Sequence, residues 1–231
     1  MLTFKNVGLN LGASTVLSAL DFSVKPGEIV AVLGASGAGK SSLFSLLIGE
    51  KKPTSGEILL DEISLGDLSF TSVQQYRRQI GIIFQDFRLL PQKTVFENIA
   101  FALEICGKAD LVKSRVPDLV RLVGLENKKN SFPAELSGGE RQRVSIARAL
   151  AHNPKMLIAD EATGNLDPRN SREIAELLLY LNQKTNLTLL FATHDPVMVQ
   201  KLNPRVIRLE AGKIRFDKQS CPLSEAFADL L

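Results

Sequence analysis

Short apolar stretches separated by turn residues open the chain. Residues 2–7, 16–24, 29–33 and 57–61 read as strands, punctuated by Pro26-Gly27 and Ser55-Gly56. After Lys40 the spacing becomes helical: Leu43, Leu46 and Leu47, with or without Ile48, share one face of a helix that ends near Gly49. Residues 79–85 return to a strand pattern, then 94–106 and 113–123 read as helices, with Pro117 a local complication. Apolar runs at 156–159, 188–193 and 206–209 alternate with helical spacing at 169–184 and 196–202. Such alternation predicts an α/β fold with a mostly parallel sheet covered on both faces. Residues 222–231 read either as a short amphipathic helix or as a frayed end. There is no internal repeat and no low-complexity segment.

Composition narrows the function classes. The 231 residues are 45% hydrophobic and 23% charged, which suits a soluble globular chain with a full-sized core, in one domain or two lobes. Lys and Arg number 28 against 25 Asp and Glu, and no basic stretch forms a nucleic-acid stripe, so no nucleic-acid partner is expected. Cys106 and Cys221 match no metal spacing and fit a reducing cytoplasm. No apolar run approaches the roughly 18 to 20 residues that cross a bilayer, and Met1 to Gly12 lacks a charged region followed by an apolar block. The chain is expected to stay where it is made. Its glycines cluster at 34–39 and 137–139.

The first cluster lies in Gly34-Ala35-Ser36-Gly37-Ala38-Gly39-Lys40-Ser41, which fits G-x-x-x-x-G-K-[ST] between a predicted strand and a predicted helix. That context distinguishes a P-loop from a Gly-rich turn with a solvated lysine. Glycines let backbone N–H groups wrap an anion, and the helix N-terminus, reaching Ser42, adds partial positive charge. Lys40 reaches the β- and γ-phosphates of such a ligand, and Ser41 ligates Mg2+. Met156 to Glu161 is an apolar strand ending in two acids. Alone these read as solvated carboxylates; downstream of a P-loop they read as a Walker B segment. Because side chains alternate along a strand, the two have different tasks. Asp160 holds Mg2+, directly or through water, and Glu161 faces the γ-phosphate and polarises the attacking water.

In the second cluster, Leu136-Ser137-Gly138-Gly139-Glu140 opens a helix with Val144, Ile146, Ala147 and Leu150 at helical spacing. Ser137 is a natural N-cap, and the two glycines leave first-turn N–H groups open to an anion. In an arbitrary protein this is a capping turn and nothing more.

Here the order of motifs is specific. The P-loop, Gln85, residues 136–140, Asp160-Glu161, Asn165-Leu166-Asp167 and His194 resemble the motif series of ATP-binding cassette (ABC) ATPases. The resemblance implies a P-loop NTPase fold with an N-terminal antiparallel β-subdomain and a helical subdomain at about 88–150, the whole of 1–231 being one ATPase domain. It implies ATP and Mg2+ as ligands, and an ATP-dependent head-to-tail homodimer in which Ser137, Gly138 and Gly139 of one subunit cover ATP on the other's P-loop. It further implies that Gln85 contacts Mg2+ and the water, that Asp167 lies at the dimer seam, and that His194 contacts the γ-phosphate. Residues 84–91, 94–98 and 162–167 also resemble the FtsE family of bacterial cell-division ATPases, which implies an FtsX-like membrane subunit, a place on the inner face of the cell membrane, and control of cell-wall hydrolases. Phe87, Leu89 and Leu90, exposed at least in part, are the expected docking point. ATPases of lipoprotein-release and macrolide exporters share most of these motifs, whereas nucleic-acid-associated cassettes usually carry coiled-coil insertions or two cassettes. A nucleotide-binding scaffold without turnover fits poorly with Glu161 and His194 retained. Two positions depart from the pattern: Leu11 aligns where an aromatic residue stacks on adenine, and Ala162 stands where Pro follows the catalytic Glu.

Overall fold

A computed structural model describes residues 1–61, 63–164 and 166–228. The strands β1 (Leu2–Leu11), β2 (Ser14–Val24), β4 (Ser55–Leu60) and β5 (Ile63–Ser64) form an antiparallel sheet in the order β2-β1-β4-β5. Beneath it, β3 (Ile29–Leu33), β6 (Ile80–Ile83), β7 (Met156–Asp160), β8 (Thr188–Ala192), β9 (Arg205–Glu210) and β10 (Lys213–Lys218) form a second sheet in the order β10-β9-β3-β8-β7-β6. Every neighbouring pair there is parallel except β10 with β9.

The parallel strands are apolar throughout because both faces are covered. Ala31, Leu33, Leu157, Ala159, Leu189 and Phe191 enter a core shared with the helices, while Val30, Val32, Ile158, Leu190 and Ala192 enter a core shared with the antiparallel sheet and α1 (Lys40–Leu47). Each fully buried Leu, Val or Phe among them contributes about 1.5–3 kcal/mol. Between β6 and β7 the chain is helical, with α3 (Val95–Ile105), α4 (Val112–Leu122) and α5 (Gly138–Leu150); α3 packs on both others. Capping boxes start α3, from Thr94 and Glu97, and α5, from Ser137 and Glu140. The α4 helix runs through Pro117, which sits on an exposed stretch where water can take the carbonyl that the ring leaves unpaired. The sheet's other cover comes from α6 (Pro168–Thr185) and α7 (Pro196–Leu202).

Three expectations change. The strand expected over 79–85 is confined to Ile80–Ile83: Gln79 N–H closes the last turn of a helix that the sequence pattern did not show, α2 (Phe70–Arg77), and past Phe84 the backbone turns left-handed at Phe87 and Arg88. The β10 strand was also missed, although Ile214 and Phe216 alternate with charged neighbours. At the tail, α8 (Leu223–Ala226) favours the helix, and the buried Arg208 donates to the carbonyls of Ala226 at 2.8 Å and Ala228 at 2.6 Å. Residues 229–231 of that segment lie outside the described residues.

Candidate active site

Four neighbouring parallel strands deliver the candidate residues at their carboxyl ends, the usual ligand side of such sheets. In sheet order, β3 runs into the P-loop, β8 into His194, β7 into Asp160 and Glu161, and β6 into Gln85. Register aligns them: Val32 pairs with Ala192, Ala192 with Asp160, and Ala159 with Ile83. A cleft of about 480 Å3 is lined by Gly34, Ala35, Ser36, Gly37, Gly39, Lys40, Ser41, Ser42, Glu161, His194 and Val16.

Local chemistry shapes the loop. Gly39, at φ +104°, caps α1 where a side chain would strike Leu17, and a Cβ on Gly34 would lie 2.6 Å from the Leu209 carbonyl oxygen. The Ala38 side chain is buried in the core beside the antiparallel sheet, and its N–H donates to the Ala35 carbonyl at 3.1 Å. Lys40 Nζ donates to the carbonyls of Gly34 at 2.7 Å and Ala35 at 3.1 Å, so its ammonium is held over the cradle's mouth.

Glu161 leaves the strand in a left-handed conformation at φ +51°, while its N–H still bonds the Ala192 carbonyl at 3.0 Å. That turn separates its direction from that of Asp160 and brings its Oε1 to 3.6 Å from His194 Nδ1. A Cβ added to Gly164 would lie 3.3 Å from His194 Cε1, 3.5 Å from Gln85 Nε2 and 3.5 Å from the Glu161 carbonyl. Gly164 therefore sits against the side chains of His194 and Gln85 and the backbone of Glu161. Sequence reasoning gave it no role, because a single glycine inside a loop carries no signal of what surrounds it.

Burial and the neighbouring Glu161 charge push the Asp160 carboxyl above its ordinary range, against the opposing pull of Lys40 and a hydrogen bond with Ser41. Hydroxyl, carboxylate and the Gln85 amide are hard oxygen donors of the kind Mg2+ takes. Among the described residues no group of three or more His, Cys, Asp or Glu side chains could hold a metal by itself. Asp160→Asn should then raise the melting temperature of the nucleotide-free protein, by an amount kept small by solvent screening of a partly exposed group, while abolishing Mg2+-dependent turnover. The ionised carboxylate's penalty is complete above its raised folded pKa and vanishes as pH falls into the ordinary carboxylate range. Thermal melts across that window should show the gain disappear on the acid side.

Ser137, Gly138 and Gly139 do not line this cleft. Ser137 is exposed at the start of α5, and its hydroxyl accepts from the Glu140 N–H at 3.2 Å. Gly139 is buried against Asn170, whose amide donates to Asp167 Oδ2 at 2.6 Å. Asp167 is thus tied to the glycine turn within one chain. Asn165 lies outside the described residues. Leu11 is 44% exposed and does not line the cleft; Val16 does.

Beyond Gln85, Phe87, Leu89 and Leu90 are each half-buried, and Leu89 packs on the larger core. The left-handed pair Phe87 and Arg88 is pinned by Arg148 of α5, whose guanidinium donates to both carbonyls, at 2.7 Å for Phe87. Asn98, fully buried, donates from Nδ2 to the carbonyls of Leu90, Lys93 and Thr94 at 3.1, 2.8 and 3.0 Å and accepts the Leu90 N–H at 2.8 Å.

Comparison with known proteins decides the family. A family model described as ABC transporter matches residues 17–164, more than half the chain. The chain belongs to the ABC ATPase family. Its relatives include a methionine import ATP-binding protein MetN 2 of Listeria innocua, 48% identical over 84% of this chain, of whose length the chain spans 58%. The cell division ATP-binding protein FtsE of Mycobacterium tuberculosis is 45% identical over 90% of both chains. Among solved structures, the cassette MJ0796, seen as a dimer in a post-hydrolysis state with ADP and Pi, superposes with a TM-score of 0.84 at 33% identity, covering 96% of this chain and all of that one. ABC ATPases bind and hydrolyse ATP, dimerise and work with membrane subunits. Among the described residues, no helix is long and apolar enough to cross a membrane itself.

Proposed function

We propose that residues 1–231 act as one cassette, with a helical subdomain at about 88–150, and that two copies enclose two ATP molecules at composite sites. In each site the P-loop from Gly34 to Ser42 holds the phosphates, and Ser41, Asp160 and Gln85 hold Mg2+, whose charge there offsets the negative charge of the phosphates. Glu161 accepts a proton from the attacking water, His194 contacts the γ-phosphate, and the partner's Ser137, Gly138 and Gly139 close the site. The observation that carries this reading is the 3.6 Å approach of Glu161 to His194 beside the P-loop, with the glycine turn of the same chain outside that cleft.

The membrane subunit docks near Phe87, Leu89 and Leu90, placing the cassette on the inner face of the cell membrane. An FtsE-like role with an FtsX-like partner is supported by FtsE relatives that align along about nine-tenths of both chains. A MetN-like importer role is the second reading, favoured by 48% identity to a methionine importer's ATPase. Depleting the chain separates them. Filamentous cells rescued by the wild type but not by Glu161→Gln support the first, and lost methionine uptake with normal division supports the second.

The double variant Phe87→Ser, Leu90→Ser should lose membrane co-sedimentation at least tenfold in cells with its partner, while binding nucleotide normally. Leu90 is held through its backbone by Asn98, so serine leaves that anchorage in place. Unchanged co-sedimentation would place the docking point elsewhere.

A further inference from the structure

Arg208 of β9 is 4% exposed, and its guanidinium meets backbone carbonyls rather than a carboxylate among the described residues. It shares the helical face of the sheet with Val206 and with its cross-strand neighbours, Leu33 of β3 and Phe216 of β10. Nη1 and Nη2 donate to the carbonyls of Ala226 and Ala228 at 2.8 and 2.6 Å, while Nε has no partner. A buried cation held so sparingly depends on each bond it has. The carbonyls depend on it in turn, because they lie at the end of α8, where helix carbonyls lack N–H partners of their own.

The α8 segment also has an apolar anchor. Ala226 and Phe227 are buried in the core that takes Met198, Val199 and Leu202 of α7, and α8 packs on α7. On its other side β9 abuts the phosphate loop at two points. A Cβ on Gly34 would lie 2.6 Å from the Leu209 carbonyl oxygen, and the Gly212 N–H, at the turn into β10, donates to the Ala38 carbonyl at 3.2 Å. Leu33, which pairs with Arg208, is the last residue before Gly34. Contacts therefore run without a gap from α8 through Arg208 and β9 to the P-loop.

We infer that Arg208 is a positioning residue for the phosphate loop and that residues 223–228 clamp it, so that docking of this segment and binding of ATP favour each other. The inference rests on the P-loop cleft being the ATP site. When the segment leaves, the guanidinium loses both acceptors and must move toward water, taking β9 with it. The loop holds phosphates through backbone N–H groups fixed in direction, so a small displacement costs affinity. Glu161 ends β7, with β3 and β8 between that strand and β9, so the loss falls on binding rather than on the chemical step. A purely structural Arg208 would lower the melting temperature and leave ATP affinity alone.

Phe227→Ser loosens the clamp without touching the loop. In this variant the KM for ATP and the Kd of a fluorescent ATP analogue should rise about fivefold, at the low end of coupling between sites, with kcat within about twofold of the wild type's. Arg208→Met should do the same, and Arg208→Lys, which keeps the charge and can reach one carbonyl, should fall between. Linkage requires the reverse effect in the unaltered chain: a saturating non-hydrolysable ATP analogue should slow tryptic cleavage after Lys218 by about the same factor. Equal cleavage with and without the analogue, or faster cleavage of Phe227→Ser at unchanged Kd, would overturn the inference and leave the ATP site standing. A fall in kcat and melting temperature with KM unmoved would reduce Arg208 to a structural role. A wild-type chain that binds no analogue would remove the site and the inference together.

Discussion

Glu161→Gln is expected to lower steady-state ATP turnover by at least about a hundredfold, the usual loss when a positioned general base is removed. The amide has nearly the carboxylate's shape but cannot take a proton from water. The phosphate cradle depends on Lys40 and the loop's backbone N–H groups, which the substitution does not touch. Affinity for a fluorescent ATP analogue should therefore stay within a few-fold of the wild type's. Phosphate release measured beside that affinity separates the two effects, and turnover near the wild-type rate would remove Glu161 from the chemistry.

For stability, the largest single-residue effect is expected at Asn98. Leucine keeps its branching at Cγ but withdraws the acceptor from the Leu90 N–H and the donor from the Lys93 carbonyl, while the Leu90 and Thr94 carbonyls each keep a backbone N–H partner. Two polar groups orphaned away from water cost about 1–3 kcal/mol each. Asn98→Leu should thus lose roughly 3 kcal/mol in urea unfolding, and the loop from Leu90 to Thr94 should become the first segment to exchange its amide protons. A loss under about 0.5 kcal/mol would mean that other contacts hold the loop.

What the sequence revealed was local. The P-loop, the Asp160-Glu161 pair and the capped turn at Ser137 are written in consecutive residues, and their side chains do what neighbouring backbone geometry requires. The central strands were legible because burial on both faces makes them apolar throughout. The α2 helix was not, since Tyr76 is its one buried residue and no apolar stripe marks it. Contacts between distant positions were also invisible: Arg148 reaches Phe87 across 61 residues, Gly139 packs on Asn170, and Gly164 meets Gln85 and His194. At the end of β1, Leu11 is exposed, and Val16 of β2 lines the cleft.

The central claim is that each ATP site is completed by a second copy of the chain. Sedimentation velocity of Glu161→Gln with saturating ATP and Mg2+ tests it most directly, because bound ATP then persists. Adding Gly138→Asp supplies the control: an acid in the first turn suits the α5 helix but opposes a triphosphate placed against it. The single variant should sediment as a dimer with ATP and as a monomer with ADP, and the double variant as a monomer with either. A single variant that stays monomeric with ATP bound, or a double variant that dimerises equally well, would contradict the composite site.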